Sequence, residues 1–337
     1  MIKKTSSKSW VIILLIIVFV FIGLFYGCQR TTKERLERTI VWGGPKNISM
    51  IPIIADKKGF FKRAGLNVQT NYIQTGKIAM DALMSKDIDF SVSVETNMAF
   101  IKYQPESNLQ VICSIAQKYD DAIVARRDMG INSPKDLEGN TVALLAATTS
   151  HVFADRFFKF YGLDPNKINI FNLTPPSIQA AVITGNVTAG SIWQPYRYNV
   201  VKELGDKAIE FNDRRIYKAY SIVAVRKEFA LQHPELIKKF LRVLIEAEEH
   251  INSYKEVSIA ILSKELGIEP EVLRAVWEEY VNKVELDNDL FEIIKEEGVW
   301  IHETQKGFKE KPVPEYTDVI NAQFLQEVDP ARVHLGI

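Results

Sequence analysis

An α/β fold of mostly parallel sheets with helical crossovers is what this sequence predicts. From Thr39 onward, short apolar or alternating runs take turns with segments of helical spacing. A second series of the same kind begins after Asp121, and from Pro234 the composition turns helical. Strand–helix–strand alternation implies parallel strands joined by crossover helices.

The elements follow in order. Ile40–Trp42 is an apolar run ended by Gly43-Gly44-Pro45, a strand entering a loop. Residues 48–61 have helical character closing at Gly59, with Phe60 and Phe61 placed to pack. Residues 66–73 alternate and predict a strand; Gly76 opens a helix whose inner face should carry Ile78, Ala82 and Leu83. Strands are expected over 88–94 and 109–116, then over 122–127 in the second series. Ser133–Leu137 predicts a short capped helical turn, and 141–146 a buried strand. The helix after Ser150 should bury Phe153, Phe157 and Phe160 and stop at Gly162. Strands over 168–173 and 189–193 flank a helix over 177–184 that ends at Gly185. One more strand covers 220–225, followed by helices over 234–253, with Pro234 in the first turn, 269–283 and 289–305.

Composition narrows the function. The chain has 337 residues, 47% of them apolar, enough for a substantial core. Basic and acidic residues number 42 each, and no basic stripe offers a footprint for nucleic acid. The two cysteines, Cys28 and Cys113, make no disulfide framework or thiolate cluster. The five histidines lack paired ligand spacing, so no metal and no other cofactor is expected.

The N-terminus is a secretory pattern: Lys3, Lys4 and Lys8, then an apolar run from Trp10 to Tyr26, then Gly27-Cys28 and polar residues. Cys28 after glycine resembles a bacterial lipoprotein box, although Phe25 stands where leucine is usual. The alternative is an uncleaved anchor, since the run is close to the shortest that crosses a bilayer. Either way a membrane tether is expected: residues 1–28 as signal, 29–38 as polar tether, and the body on the extracytoplasmic face of the cell membrane.

Four segments carry a family resemblance. These are 54–68 (IADKKGFFKRAGLNV), 76–90 (GKIAMDALMSKDIDF), 131–143 (INSPKDLEGNTVA) and 178–196 (IQAAVITGNVTAGSIWQPY). Together they resemble the ABC-transporter solute-binding proteins of the nitrate, sulfonate and taurine group, which also includes binders of thiamine-pyrimidine precursors and of some riboflavin-related ligands. The likeness covers residues 39–228. It implies a two-lobed type II periplasmic-binding-protein fold, lobe one from 39–121 plus 222–337 and lobe two from 122–221. Crossover strands are implied near 122–127 and 221–226. It implies a monomer that holds a small molecule between its lobes and docks on an ABC permease. A small organic anion is the ligand favoured, with an aromatic heterocycle as the alternative.

In doubly wound sheets ligands sit beyond the carboxyl ends of strands, beside helix N-termini whose first amides are unpaired. Three loops have that layout and fall at family positions: Pro45, Asn47 and Ser49; Gly76 and Lys77; and Thr148, Thr149 and Ser150. Plain helix capping competes for each. Glu95 and Thr96 follow a strand and would suit a ligand with an amine or ring N–H; an ordinary first-turn acid is the alternative. Tyr119 follows another strand, as a cleft aromatic or core residue. Trp193 ends a strand at the family's Trp-x-Pro-Tyr and would wall the cleft unless it is core.

Catalysis is disfavoured. Ser150 and His151 are adjacent, and neighbours on a helix point in different directions. No Gly-x-Ser-x-Gly elbow, Rossmann fingerprint or Walker loop is present. A pyrimidine-forming enzyme of the same fold uses a cysteine-rich motif, whereas this body has only Cys113. A tethered sensor of the same fold remains a third class.

Overall fold

The computed structural model describes residues 38–336. The signal segment, Cys28 and nearly all of the 29–38 tether lie outside the described residues.

In chain order the strands are β1 (Thr39–Gly44), β2 (Asn67–Tyr72), β3 (Phe90–Val94), β4 (Leu109–Lys118), β5 (Ala122–Arg126) and β6 (Thr141–Leu144). Then come β7 (Asn169–Asn172), β8 (Ala189–Ile192), β9 (Ala208–Phe211), β10 (Ala219–Arg226), β11 (Tyr280–Asp287) and β12 (Val333–His334). They form a seven-stranded sheet, β12-β11-β4-β10-β3-β1-β2, and a five-stranded sheet, β7-β6-β8-β5-β9. The α/β class is as expected, with mixed pairing. Strand β1 pairs in parallel with β2 and β3, as β6 does with β7 and β8. Strands β10 and β5 run antiparallel to their neighbours. Each of these is the strand that arrives directly from the other sheet, so it enters from the opposite end. The chain crosses between sheets over 119–121 and again over 212–218.

The helices are α1 (Met50–Lys57), α2 (Phe60–Arg63), α3 (Gly76–Met84), α4 (Glu95–Ile101), α5 (Thr149–Phe160), α6 (Pro175–Thr184) and α7 (Tyr196–Leu204). The C-terminal set is α8 (Lys227–Gln232), α9 (Pro234–Ser253), α10 (Lys255–Leu266), α11 (Pro270–Val276), α12 (Asn288–Thr304) and α13 (Gln323–Val328). Punctuation chemistry sets many of the ends. Gly59 and Gly185, at φ +69° and +77°, close helices in the left-handed region that glycine adopts without penalty. Ser133 and Asp136 form the reciprocal capping box of a short 3-10 turn. Phe90 on β3 stacks on Phe240 of α9 with centroids 3.9 Å apart, and Phe61 stacks on the same ring. Burying each such ring contributes about 1.5–3 kcal/mol.

Three expectations are corrected. Residues 280–287 form strand β11 where the sequence suggested helix to 283. Asn282, Val284 and Leu286 alternate toward the interior, and β11 covers the edge that β4 would otherwise expose. On α3 the buried face is Ala79, Met80 and Leu83, leaving Ile78 exposed. On α5, Phe158 is buried where Phe160 was expected, and Phe160 stands at the surface. A sequence period fixes that a helix has an inner stripe; the partner surface decides where its edge falls.

Candidate functional site

The two halves meet where the crossings leave the sheets. On one side, α5 of the five-stranded half lies against α12 of the seven-stranded half. Trp300 Nε1 donates to Asp155 Oδ2 at 2.7 Å, Arg156 pairs with Glu296 at 3.1 Å, and the His151 ring meets Trp300 edge-on at 5.0 Å. His151 is thus turned to the opposite half and away from Ser150 chemistry; burial, only partly offset by Asp155, lowers its pKa. On the other side, Arg197 of α7 donates to the Asp120 carbonyl at 3.0 Å and pairs with Glu279. Gln194 Nε2 reaches the same carboxylate at 3.2 Å. Beside these contacts a narrow crevice of about 20 Å³ is lined by Asn47, Met50, Gln194, Pro195, Trp277 and Tyr280 among others.

Between these flanks lies a buried polar cluster. Glu95, the first residue of α4, is fully buried. Its Oε2 accepts from the Tyr220 amide at 2.8 Å and its Oε1 from the Tyr217 hydroxyl. The same hydroxyl lies 2.9 Å from Oε1 of Glu297, a buried residue of α12. Thr96 Oγ1 is 3.3 Å from that hydroxyl. Lys118, at the end of β4, is buried and 3.2 Å from Asp120 Oδ1. Thr149 Oγ1 donates to Asp121 Oδ1 at 3.3 Å, joining α5 to the first crossing.

Electrostatics follows from burial. Desolvation raises the pKa of Glu95 against the pull of Tyr217 and Lys118, and drives Glu297 well above the carboxylate range, with Glu95 adding to the rise. Burial and Asp120 push Asp121 up to about 7, with Lys118 and Thr149 opposing. Burial works to lower Lys118, but Asp120, Asp121 and Glu95 outweigh it and the net shift is upward.

The structure brings some of the sequence candidates to this junction. Glu95, Thr96 and Thr149 are in the cluster; Ser150 is buried at the start of α5, its carbonyl accepting from Ser191 Oγ at 2.7 Å. Thr148 precedes α5 without making a side-chain cap bond, its hydroxyl instead turned to the Leu145 carbonyl at 2.7 Å. Trp193 is half-buried between β8 and buried Gln194, and Asn47 faces the crevice. Tyr119 is half-buried under Arg214, whose guanidinium lies 4.9 Å from its ring.

Other candidates have structural roles. Ser49 Oγ donates to the Pro45 carbonyl at 2.7 Å, so both close their own loop. Gly76 is required by close packing: a Cβ there would fall 2.5 Å from Ser93 Oγ and nearer still to Asn97 Oδ1. Lys77 points outward and pairs with Asp81 at 2.8 Å on the same helix. Reading the sequence alone did not mark Lys118, Asp120, Asp121, Tyr217 or Glu297. Glu297 had a signal, because it shares the apolar stripe Leu290–Ile294–Ile301 of α12, where a carboxylate is out of place.

Two mixed sheets joined by two short crossings, with polar groups gathered between them, define the type II periplasmic-binding fold. The chain belongs to the NMT1/THI5-like family, whose model matches residues 47–253. Among relatives, the taurine-binding periplasmic protein of Escherichia coli is 26% identical over 56% of this chain and 59% of its own length, so the match spans about three fifths of that protein. A putative aliphatic sulfonates-binding protein of Bacillus subtilis is 22% identical over 79% of this chain and 82% of its own length. In structure, the aliphatic sulphonate-binding protein SsuA of Escherichia coli superposes with a TM-score of 0.74 at 20% identity, covering 84% of this chain and 97% of its own. These relatives are binding proteins, not enzymes.

Proposed function

We propose that this chain is the extracytoplasmic solute-binding component of an ABC importer. It captures a small organic ligand with an acidic group, of the sulfonate, taurine or nitrate type, between two lobes. One lobe is the seven-stranded sheet with its helices (39–118 and 219–336) and the other the five-stranded sheet (122–211), hinged at the two crossings. The observation that carries the reading is the start of α5. Thr148 makes no side-chain cap bond to this twelve-residue helix and its carbonyl takes the His151 and Val152 amides, so those of Thr149 and Ser150 are left for an outside acceptor. Both residues are buried at the junction. A negative group there gains from the dipole and the amides together. Trp193, on the same half, supplies apolar area to one wall.

Capture is a hinge closure in which ligand contacts to both lobes shift the open–closed balance. The closed monomer docks on a membrane permease. Cys28 carries the lipid that holds the body at the outer face. Among the described residues no helix is long and apolar enough to cross a membrane.

A thermal-shift and calorimetric screen against sulfonates, taurine, nitrate, pyrimidines and flavins tests the reading. Binding of at least one is expected; hydrolytic turnover without any binding overturns it. Fatty-acid labelling of the protein and of Cys28→Ser tests the anchor, with label expected in the former alone.

A further inference from the structure

Between the halves, buried acceptors outnumber donors. Glu95 and Glu297 both place an Oε1 against the single hydroxyl of Tyr217, which has one proton to give. The Tyr220 amide serves the second oxygen of Glu95. Oδ2 of Asp121 has no hydrogen-bond partner, and the Glu297 carboxyl has at most the Thr96 hydroxyl besides Tyr217, though Glu297 is fully buried and Asp121 only 4% exposed. Asp120 adds a fourth buried carboxyl group. Against them stands Lys118, committed to Asp120. Arg156 lies over the Tyr217 ring at 5.2 Å, but its ion pair is with Glu296. Two carboxyl groups sharing one phenol in a dry site cannot both ionise unless a cation joins them. A plain core would satisfy these oxygens with protein donors.

We infer that the junction formed by Glu95, Tyr217, Glu297 and Asp121 receives a positively charged nitrogen of the ligand, an ammonium or a comparable N–H cation. The inference rests on the binding-protein reading above and specifies its ligand. An ammonium brings three donors and a charge, which is what Glu297 Oε2 and Asp121 Oδ2 lack. In the ligand-free state a proton on the Glu95–Glu297 pair stands in for that charge. Binding displaces it to solvent: the ligand nitrogen keeps its own protons, one carboxyl O–H bond breaks, and the carboxylate formed pairs with the ligand. With the acidic group at the start of α5, the ligand is a small amino acid in the broad sense, cationic at one end and anionic at the other.

Matched probes test this on the full chain in mild detergent. Taurine is compared with ethanesulfonate, and γ-aminobutyrate with butyrate, by calorimetry in two buffers of different ionisation heat. The amino member of a binding pair should be roughly ten- to a hundredfold tighter, which is the range for one charged hydrogen-bonded contact. It should also release up to one proton per ligand. In Glu297→Gln, and in Asp121→Asn as an independent variant, the preference for the amino member should shrink and, in the former, proton release should fall. Equal affinity of both members of a pair in the unmutated protein overturns the inference and leaves the binding-protein reading standing. A preference unchanged in both variants also overturns it. Failure of all four probes to bind removes the acidic-ligand reading and this inference together.

Discussion

Trp300 and Asp155 tie the two halves together: the indole Nε1 of α12 donates to the α5 carboxylate at 2.7 Å. The contact joins helices from different sheets, so in the proposed hinge motion its energy favours the closed arrangement. Replacing Trp300 by Phe keeps the ring and removes the donor. A lost hydrogen bond of this kind costs about 1 kcal/mol. Closed-state population should fall and ligand affinity weaken by roughly fivefold, read by small-angle scattering and calorimetry. An unchanged scattering profile and affinity in Trp300→Phe would show that the contact does not govern closure.

Trp193→Ala should weaken ligand binding by about fivefold or more without unfolding the protein, as truncating a cleft aromatic does. The residue is half-buried at the end of β8, so the core loses little. Calorimetry showing native affinity would return Trp193 to a packing role.

Asp121 gives a pH dependence whose sign is fixed. Its folded-state pKa is raised, to about 7. From the ordinary carboxylate range up to that value, the folded protein holds a proton that the unfolded chain releases. Stability is therefore greatest at the acid end of this window and declines as pH rises through it. Asp120, Lys118, Glu95 and Thr149 surround the group, and Glu95 and Glu297 contribute in the same direction. Ligand-free protein should melt at higher temperature near pH 5 than near pH 8, and Asp121→Asn should flatten the slope. A steeper decline in the variant would contradict this assignment.

Gly76→Ala should destabilise the fold by about 1–3 kcal/mol, because the new methyl meets Ser93 of β3 and Asn97 of α4. Urea unfolding measures it. A neutral substitution would mean that α3 can shift at no cost.

Lys77→Ala, by contrast, should leave affinity unaltered and stability within about 0.5 kcal/mol. Its ammonium faces solvent, paired with Asp81. A tenfold loss of affinity would restore it to the site.

Periodicity and punctuation carried most of the fold. Helix α9 runs over Pro234–Ser253 as its first-turn proline and apolar stripe predict, and Gly185 ends α6 where the sequence put a stop. Strand β11 escaped notice because its inward positions, Asn282, Val284 and Leu286, include a polar residue and follow directly on a helix. Of the candidate site, the hydroxyl run at the start of α5 and the acid after β3 were visible, since each follows a strand and opens a helix.

What the sequence determined by itself was local: the alternation of strands and helices and the loops at strand ends. Such features depend on neighbours within a few residues, where spacing and turn chemistry decide the outcome. Only the tertiary structure decided that Glu95 shares Tyr217 with Glu297, from positions far apart in the chain, and that Lys77 and Ser49 do not join them. Desolvation and shared protons arise from which groups are buried together, and that depends on how the two sheets are brought face to face.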